Sequence, residues 1–144
     1  MKKIIAYIDG CSKGNPGPSA GGIVFCNEKG KAFKEMAEDF GQATNNEAEY
    51  LAAISALEKF KQIFGKKLAR VTEIELRSDS QLLVNQINGK YKVLDEKIQP
   101  LFLKLWNLRL DFKKVKFKLI SRKKNEKADK LANDLLNKKA SASP

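Results

Sequence analysis

The chain has 144 residues, 42% hydrophobic and 31% charged, a size and balance that fit one globular domain and exclude a disordered chain. No apolar run approaches the roughly 18 to 20 residues of a membrane-spanning helix, and residues 1–3 lead straight into a strand-like segment with no leader pattern. Lys and Arg number 28 against 17 Asp and Glu, for a net charge of +11, and histidine is absent, so imidazole is unavailable to any metal site, triad or proton shuttle.

Ile4-Ile5-Ala6-Tyr7-Ile8 predicts a buried strand ending at Asp9, followed by a loop over residues 10–18, where Gly and Pro are dense. Gly22 to Cys26 resumes a strand, residues 27–30 turn, and Lys31 to Phe40 alternates as a more exposed third strand. Cys11 and Cys26 then fall at opposite ends of a hairpin, roughly 15 Å apart at ~3.3 Å per residue, too far for a disulfide. Reduced thiols and a cytoplasmic setting are expected.

Thr44-Asn45-Asn46 offers caps for a long helix in which Tyr50, Ile54, Leu57, Phe60 and Phe64 recur at helical spacing, closed by Gly65. Glu73 to Ser78 alternates as a strand, and Leu82, Leu83, Gln86 and Ile87 mark a brief helix stopped by Gly89. Ile98, Leu101, Phe102, Leu105 and Leu108 form the apolar stripe of a core helix that includes Trp106, with Pro100 tolerated in its first turn. Val115, Phe117 and Leu119 alternate with Lys114, Lys116 and Lys118, a strand with one buried and one basic face. The last helix spans about 125–137.

The order β-β-β-α-β-α-α-β-α predicts an α/β fold: a five-stranded mixed sheet, an antiparallel meander continued by parallel strands, with helices on both faces. A single domain over 1–138 and a flexible tail over 139–144 are expected.

Asp9 and Asp79 each close a strand, Asp129 starts the last helix, and Glu49 lies on the first long one. Sites in such folds form at the carboxyl ends of strands, so these four are candidates to converge. Clustered carboxylates repel and raise one another's pKa unless a divalent cation neutralises them, and oxygen-only donors select Mg²⁺ or Mn²⁺. A pair of such ions suits phosphodiester hydrolysis without imidazole. The charge points the same way. Residues 90–144 carry 16 basic and six acidic side chains, against 12 and 11 in residues 1–89, which implies a polyanionic partner.

Four segments surround these acids: Asp9-Gly10-Cys11-Ser12-Lys13-Gly14-Asn15-Pro16-Gly17-Pro18, Thr44-Asn45-Asn46-Glu47-Ala48-Glu49-Tyr50, Ser78-Asp79-Ser80-Gln81 and Asn125-Glu126-Lys127-Ala128-Asp129-Lys130-Leu131-Ala132. Together, and in this order, they resemble the motifs of the type 1 ribonuclease H family over residues 4–133. The resemblance implies a ribonuclease H-like fold and Mg²⁺-dependent hydrolysis of the RNA strand of RNA–DNA hybrids, leaving 3′-hydroxyl and 5′-phosphate ends. It implies two ions with substrate bound, Mn²⁺ as a substitute, and a monomer with no membrane association.

By the same resemblance Asp9, Glu49, Asp79 and Asp129 are the catalytic and metal-holding carboxylates. Gly10, Cys11, Ser12, Asn15, Asn45, Asn46 and Gln81 approach the minor groove, and Thr44 with Asn15 holds a DNA phosphate. Glycines such as Gly10 and Gly14 are expected to let the chain come close to a sugar.

Two features depart from the family pattern. The histidine that many relatives carry before the last motif is missing, and Arg122, or Lys123 in second place, is the candidate to steady a phosphate or leaving group by charge. Residues 88–95 are too short for the basic protrusion of some relatives. A non-catalytic nucleic-acid-binding module, or another metal nuclease on this fold, are the competing readings.

Overall fold

The computed structural model describes residues 3–142. Its strands are β1 (Lys3–Ser12), β2 (Gly17–Asn27), β3 (Ala32–Ala43), β4 (Glu73–Ser78) and β5 (Lys114–Leu119), and its helices are α1 (Asn45–Phe64), α2 (Lys66–Arg70), α3 (Gln81–Ile87), α4 (Gln99–Leu108) and α5 (Glu126–Ala142). The strands form one sheet in the order β3-β2-β1-β4-β5. The β1–β2 and β2–β3 pairs are antiparallel, while β1–β4 and β4–β5 are parallel, each reached through helices. This is the mixed sheet that the element order predicts.

Alternation along β1 and β2 divides the interior into two layers, because successive side chains leave opposite faces. Ile4, Ala6, Ile8, Ile23 and Phe25 point to the side of α1, where Tyr50, Leu57, Phe60, Ile98 and Leu105 complete the larger core. Ile5, Val24 and Cys26 point the other way and pack with Ala128 and Leu131 of α5. Helices therefore cover both faces.

Several elements differ from those the sequence predicts, β3 among them, which runs on from Phe40 to Ala43. The expected loop over 10–18 shrinks to residues 13–16, because Gly10, Cys11 and Ser12 pair with Gly21, Ala20 and Ser19 and extend the hairpin. Small residues on both strands leave room for that ladder to continue. The five-residue α2 has no counterpart in the expected order: Gly65, at φ 92°, ends α1, and one short turn burying only Ala69 leaves no periodic signature. Finally, α5 runs past Asn137 to Ala142 where a tail was expected, and the Lys139–Asp39 ion pair at 2.7 Å ties it to β3. The rest of that tail, 143–144, lies outside the described residues.

Two apolar side chains are more exposed than their patterns suggest. Leu119 is 43% exposed, at the end of an edge strand, and Trp106 is 39% exposed, stacked on Phe102 with the Arg109 guanidinium 3.6 Å from its ring centre. Among the described residues no helix is long and apolar enough to cross a membrane.

Candidate metal and nucleic-acid site

Parallel pairing of β1 with β4 places Tyr7 beside Arg77, and two residues further along come Asp9 and Asp79. Adjacent strands run about 4.8 Å apart, so the topology itself sets these two carboxylates side by side. Glu49 joins them from the second turn of α1. Its approach depends on Gly10, where a β-carbon would overlap the Ala48 carbonyl, and the Gly10 N–H donates to Glu49 Oε1 at 2.6 Å. One oxygen each from Asp9, Glu49 and Asp79 lies within 4.8 Å of the others. Asp129, in the first turn of α5, stands in hydrogen-bonding contact with Asp9 but outside that tight trio.

Asp9 is only 6% exposed. Burial, then the neighbouring charge of Glu49 and contact with Asp129, hold its pKa far above the ordinary carboxylate range. Burial raises Glu49 as well, against the opposing hydrogen bond from Gly10, and it raises Asp79, where the Arg122 charge opposes the shift. The Cys11 thiol is pushed up to about 11, first by burial and then by Asp9, so it is no thiolate nucleophile at neutral pH. A buried group of carboxylates that resist ionisation is one that a divalent cation would relieve. Its all-oxygen donors fit Mg²⁺ or Mn²⁺.

The carboxylates open into a cleft of about 450 Å³, walled also by Gly10, Cys11, Asn45, Asn46, Ser80, Arg122 and Asn133. Arg122 sits in a 3-10 turn over residues 122–125 and reaches the cleft. Ser12, Asn15 and Thr44 lie beside it rather than in its wall, and Ser12 and Asn15 form a hydrogen-bonded unit with Asn45. The Ser12 N–H donates to Asn45 Oδ1 at 3.0 Å, and the Asn45 N–H donates to Asn15 Oδ1 at 3.1 Å. Thr44 caps α1: its Oγ1 accepts from the Glu47 N–H at 3.1 Å, and Glu47 Oε1 accepts from the Thr44 N–H at 2.9 Å.

Gln81 is exposed at the start of α3, next to Ser80 in the cleft wall. The small size of Gly10 serves contact with α1, since the residue is buried and its N–H is taken by Glu49.

The sequence reading also passed over two asparagines. Asn125, 1% exposed, donates to the Ile8 carbonyl at 2.8 Å and stands near enough to Asp79 to favour its ionised form. Asn133 donates to Asp129 Oδ1 at 3.0 Å. Asn133 lies four residues after Asp129, one helical turn on, and that spacing was the available signal.

An antiparallel meander extended by two parallel strands, with carboxylates gathered at the strand ends beside a helix on either face, defines the ribonuclease H-like class. The sequence profile of a family described as reverse transcriptase-like matches residues 7–135. The ribonuclease HI of Halobacterium salinarum is 39% identical over 93% of this chain and 64% of its own length. The ribonuclease H of Cereibacter sphaeroides is 36% identical over 92% of this chain and 93% of its own. LC11-RNase H1, solved in complex with an RNA/DNA hybrid, superposes with a TM-score of 0.89 at 40% identity, covering 95% of this chain and 99% of that one. The chain belongs to the ribonuclease H family. It spans under two thirds of the Halobacterium relative and 35% of the mycobacterial relatives it matches.

Proposed function

We propose that the protein is an endoribonuclease that cuts the RNA strand of RNA–DNA hybrids with divalent metal, leaving 3′-hydroxyl and 5′-phosphate ends. The observation that carries this reading is the trio of Asp9, Glu49 and Asp79 oxygens within 4.8 Å of one another, in a chain whose relative LC11-RNase H1 was solved with such a hybrid. In this reading Asp9, Glu49, Asp79 and Asp129 hold two Mg²⁺ ions when substrate is bound, with Mn²⁺ able to replace them. Bound there, the ions supply an activated water and neutralise charge on the leaving oxygen.

The chain's own groups do the rest. The Gly10 N–H orients Glu49 by a hydrogen bond, and Asn125 stands beside Asp79 and favours its ionised form. Arg122 brings a permanent positive charge to the cleft in place of the missing histidine. Asn45, Asn46 and Cys11 present donors and acceptors to the sugar edge, where the 2′-hydroxyl, both donor and acceptor, distinguishes RNA from DNA. Thr44 Oγ1 accepts from Glu47 and keeps its own hydrogen free to donate to a phosphate. In the same reading the protein acts as a monomer. The two free thiols, Cys11 and Cys26, are consistent with a cytoplasmic setting.

The test offers labelled hybrid, double-stranded RNA and double-stranded DNA with Mg²⁺, Mn²⁺ or EDTA, beside Asp79→Asn. Cleavage confined to the hybrid and abolished by EDTA and by the substitution is expected. Cleavage surviving either one overturns the reading, and tight binding without cleavage assigns a binding module instead.

A further inference from the structure

Most of the positive charge lies outside the cleft. Lys114, Lys116 and Lys118 are exposed along β5, on the face opposite Val115 and Phe117, which pack into the larger core. The β4–β5 register sets Glu73, Glu75 and Arg77 next to them in turn, and the Lys116–Glu73 contact at 3.8 Å confirms that both rows share one face. Helix α5 packs across β1, β2 and β3 on this side, leaving the β4–β5 half open to solvent. Four cations there meet two carboxylates. Arg77 is held by Glu75 at 2.7 Å, whereas Lys114 and Lys118 form no ion pair among the described residues. Three lysines at every second strand position recur at roughly 6.6 Å.

Where this face meets α5, a pocket of about 230 Å³ opens, lined by Tyr7, Val24, Cys26, Ala32 and Ala128, together with Lys124 and with Lys127, which is ion-paired with Glu35 at 2.7 Å. Tyr7 also lies under the Arg77 guanidinium, 5.4 Å from its ring centre. The pocket adjoins the catalytic cleft along the strands, since Tyr7 precedes Asp9 by two residues and Arg77 precedes Asp79 by two. The turn 122–125 stands between them, sending Arg122 to the cleft and Lys124 to the pocket.

An apolar slot with an aromatic wall and Lys124 in its lining, continued by a row of lysines, matches one class of ligand: an unpaired nucleotide with the phosphates that follow it. Only an unpaired base offers its ring face for stacking, and a flexible strand can adjust its phosphates to the lysine spacing. We propose that this open half-sheet binds the single-stranded DNA that continues beyond the hybrid, one base in the Tyr7 pocket and its phosphates along Lys118, Lys116 and Lys114. The placement of that strand rests on the hybrid reading, because DNA is the strand left uncut. The surface itself does not depend on catalysis.

The test uses the full chain in EDTA with a fluorescent oligothymidylate of about 15 nucleotides, within the reach of single-strand sites. Wild type is expected to bind it with affinity that falls steeply with salt. K114E/K116E/K118E is expected to bind at least tenfold more weakly, with a salt slope flatter by about two, the response to three lost single-strand phosphate contacts. Tyr7→Leu is expected to lose fivefold or more and Tyr7→Phe to retain binding, because the ring is what stacks. The triple variant should cut blunt hybrid at the wild-type rate and lose the lower KM that a single-stranded DNA extension confers. Unchanged oligothymidylate binding in the triple variant overturns the proposal, as does an equal loss of blunt-hybrid binding, which would assign the lysines to the cleft. A chain that cuts no hybrid yet shows these binding changes refutes the nuclease reading and leaves this surface standing.

Discussion

Gly22, the cross-strand partner of Asp9, lies directly beneath the Ala128 carbonyl of α5: a β-carbon on it would overlap that oxygen and stand 3.0 Å from Leu131 Cβ. Gly10 does the same on the other face, beneath Ala48 of α1. The sheet is thinned on both sides within one residue of Asp9, and each helix that enters carries a carboxylate immediately after the contact, Asp129 behind Ala128 and Glu49 behind Ala48.

Gly22→Ala and Gly10→Ala should therefore push α5 and α1 outward. Each is expected to lose about 1–3 kcal/mol of stability, the usual cost of overpacking, and to lose hybrid cleavage by more than tenfold even at temperatures where the variant is fully folded. Thermal unfolding beside a cleavage assay checks both. Wild-type cleavage by folded Gly22→Ala would show that the closeness of α5 is not what positions Asp129.

The raised pKa of Asp9 carries a stability cost with a definite sign. A carboxylate whose folded pKa lies above its unfolded value favours the fold at pH below the ordinary carboxylate range, and that contribution is lost as pH rises through the folded value. Metal-free protein should lose stability from about pH 4 towards neutrality and regain it when Mg²⁺ is added. Asp9→Asn, which removes the charge, is expected to be about 1–2 kcal/mol more stable than wild type at pH 7 in EDTA, and to gain far less from Mg²⁺. Melting curves across pH with and without metal decide this; a wild type that grows more stable from pH 4 to 7 in EDTA contradicts it.

Arg122 faces Asp79 and Glu49 as a fixed charge. Arg122→Ala is expected to lower kcat on hybrid by about 10- to 100-fold, the range of one charged hydrogen bond, and Arg122→Lys to restore part of it. Because arginine does not titrate near neutrality, neither variant should remove a step from the pH–rate profile. Loss of such a step in Arg122→Ala would assign it a proton-transfer role.

Thr44 combines a cap with a candidate phosphate contact. Thr44→Val removes both and should cost about 1 kcal/mol of stability while raising KM for hybrid severalfold at nearly constant kcat. Thr44→Ser should restore stability and KM together. A Thr44→Val variant that is destabilised at unchanged KM confines the hydroxyl to the helix end.

Much of this was legible in the sequence, for local reasons. An unbroken apolar run in β1, period-two runs in β4 and β5 and period-3.6 runs in α1 and α4 report buried faces directly, Thr44-Asn45-Asn46 marks the start of α1, and four short motifs in fixed order mark the carboxylates. What the chain order left open was distance. Nothing local says that Asp129 stands outside the tight trio, that Ser80 rather than Gln81 lines the cleft, or that Asn125 reaches back 117 residues to the Ile8 carbonyl. Nor does the alternation of Lys114, Lys116 and Lys118 show that no helix covers them. Those facts follow from how helices settle on a twisted sheet, where contacts between residues far apart in sequence are fixed by packing, and packing depends on every neighbour at once.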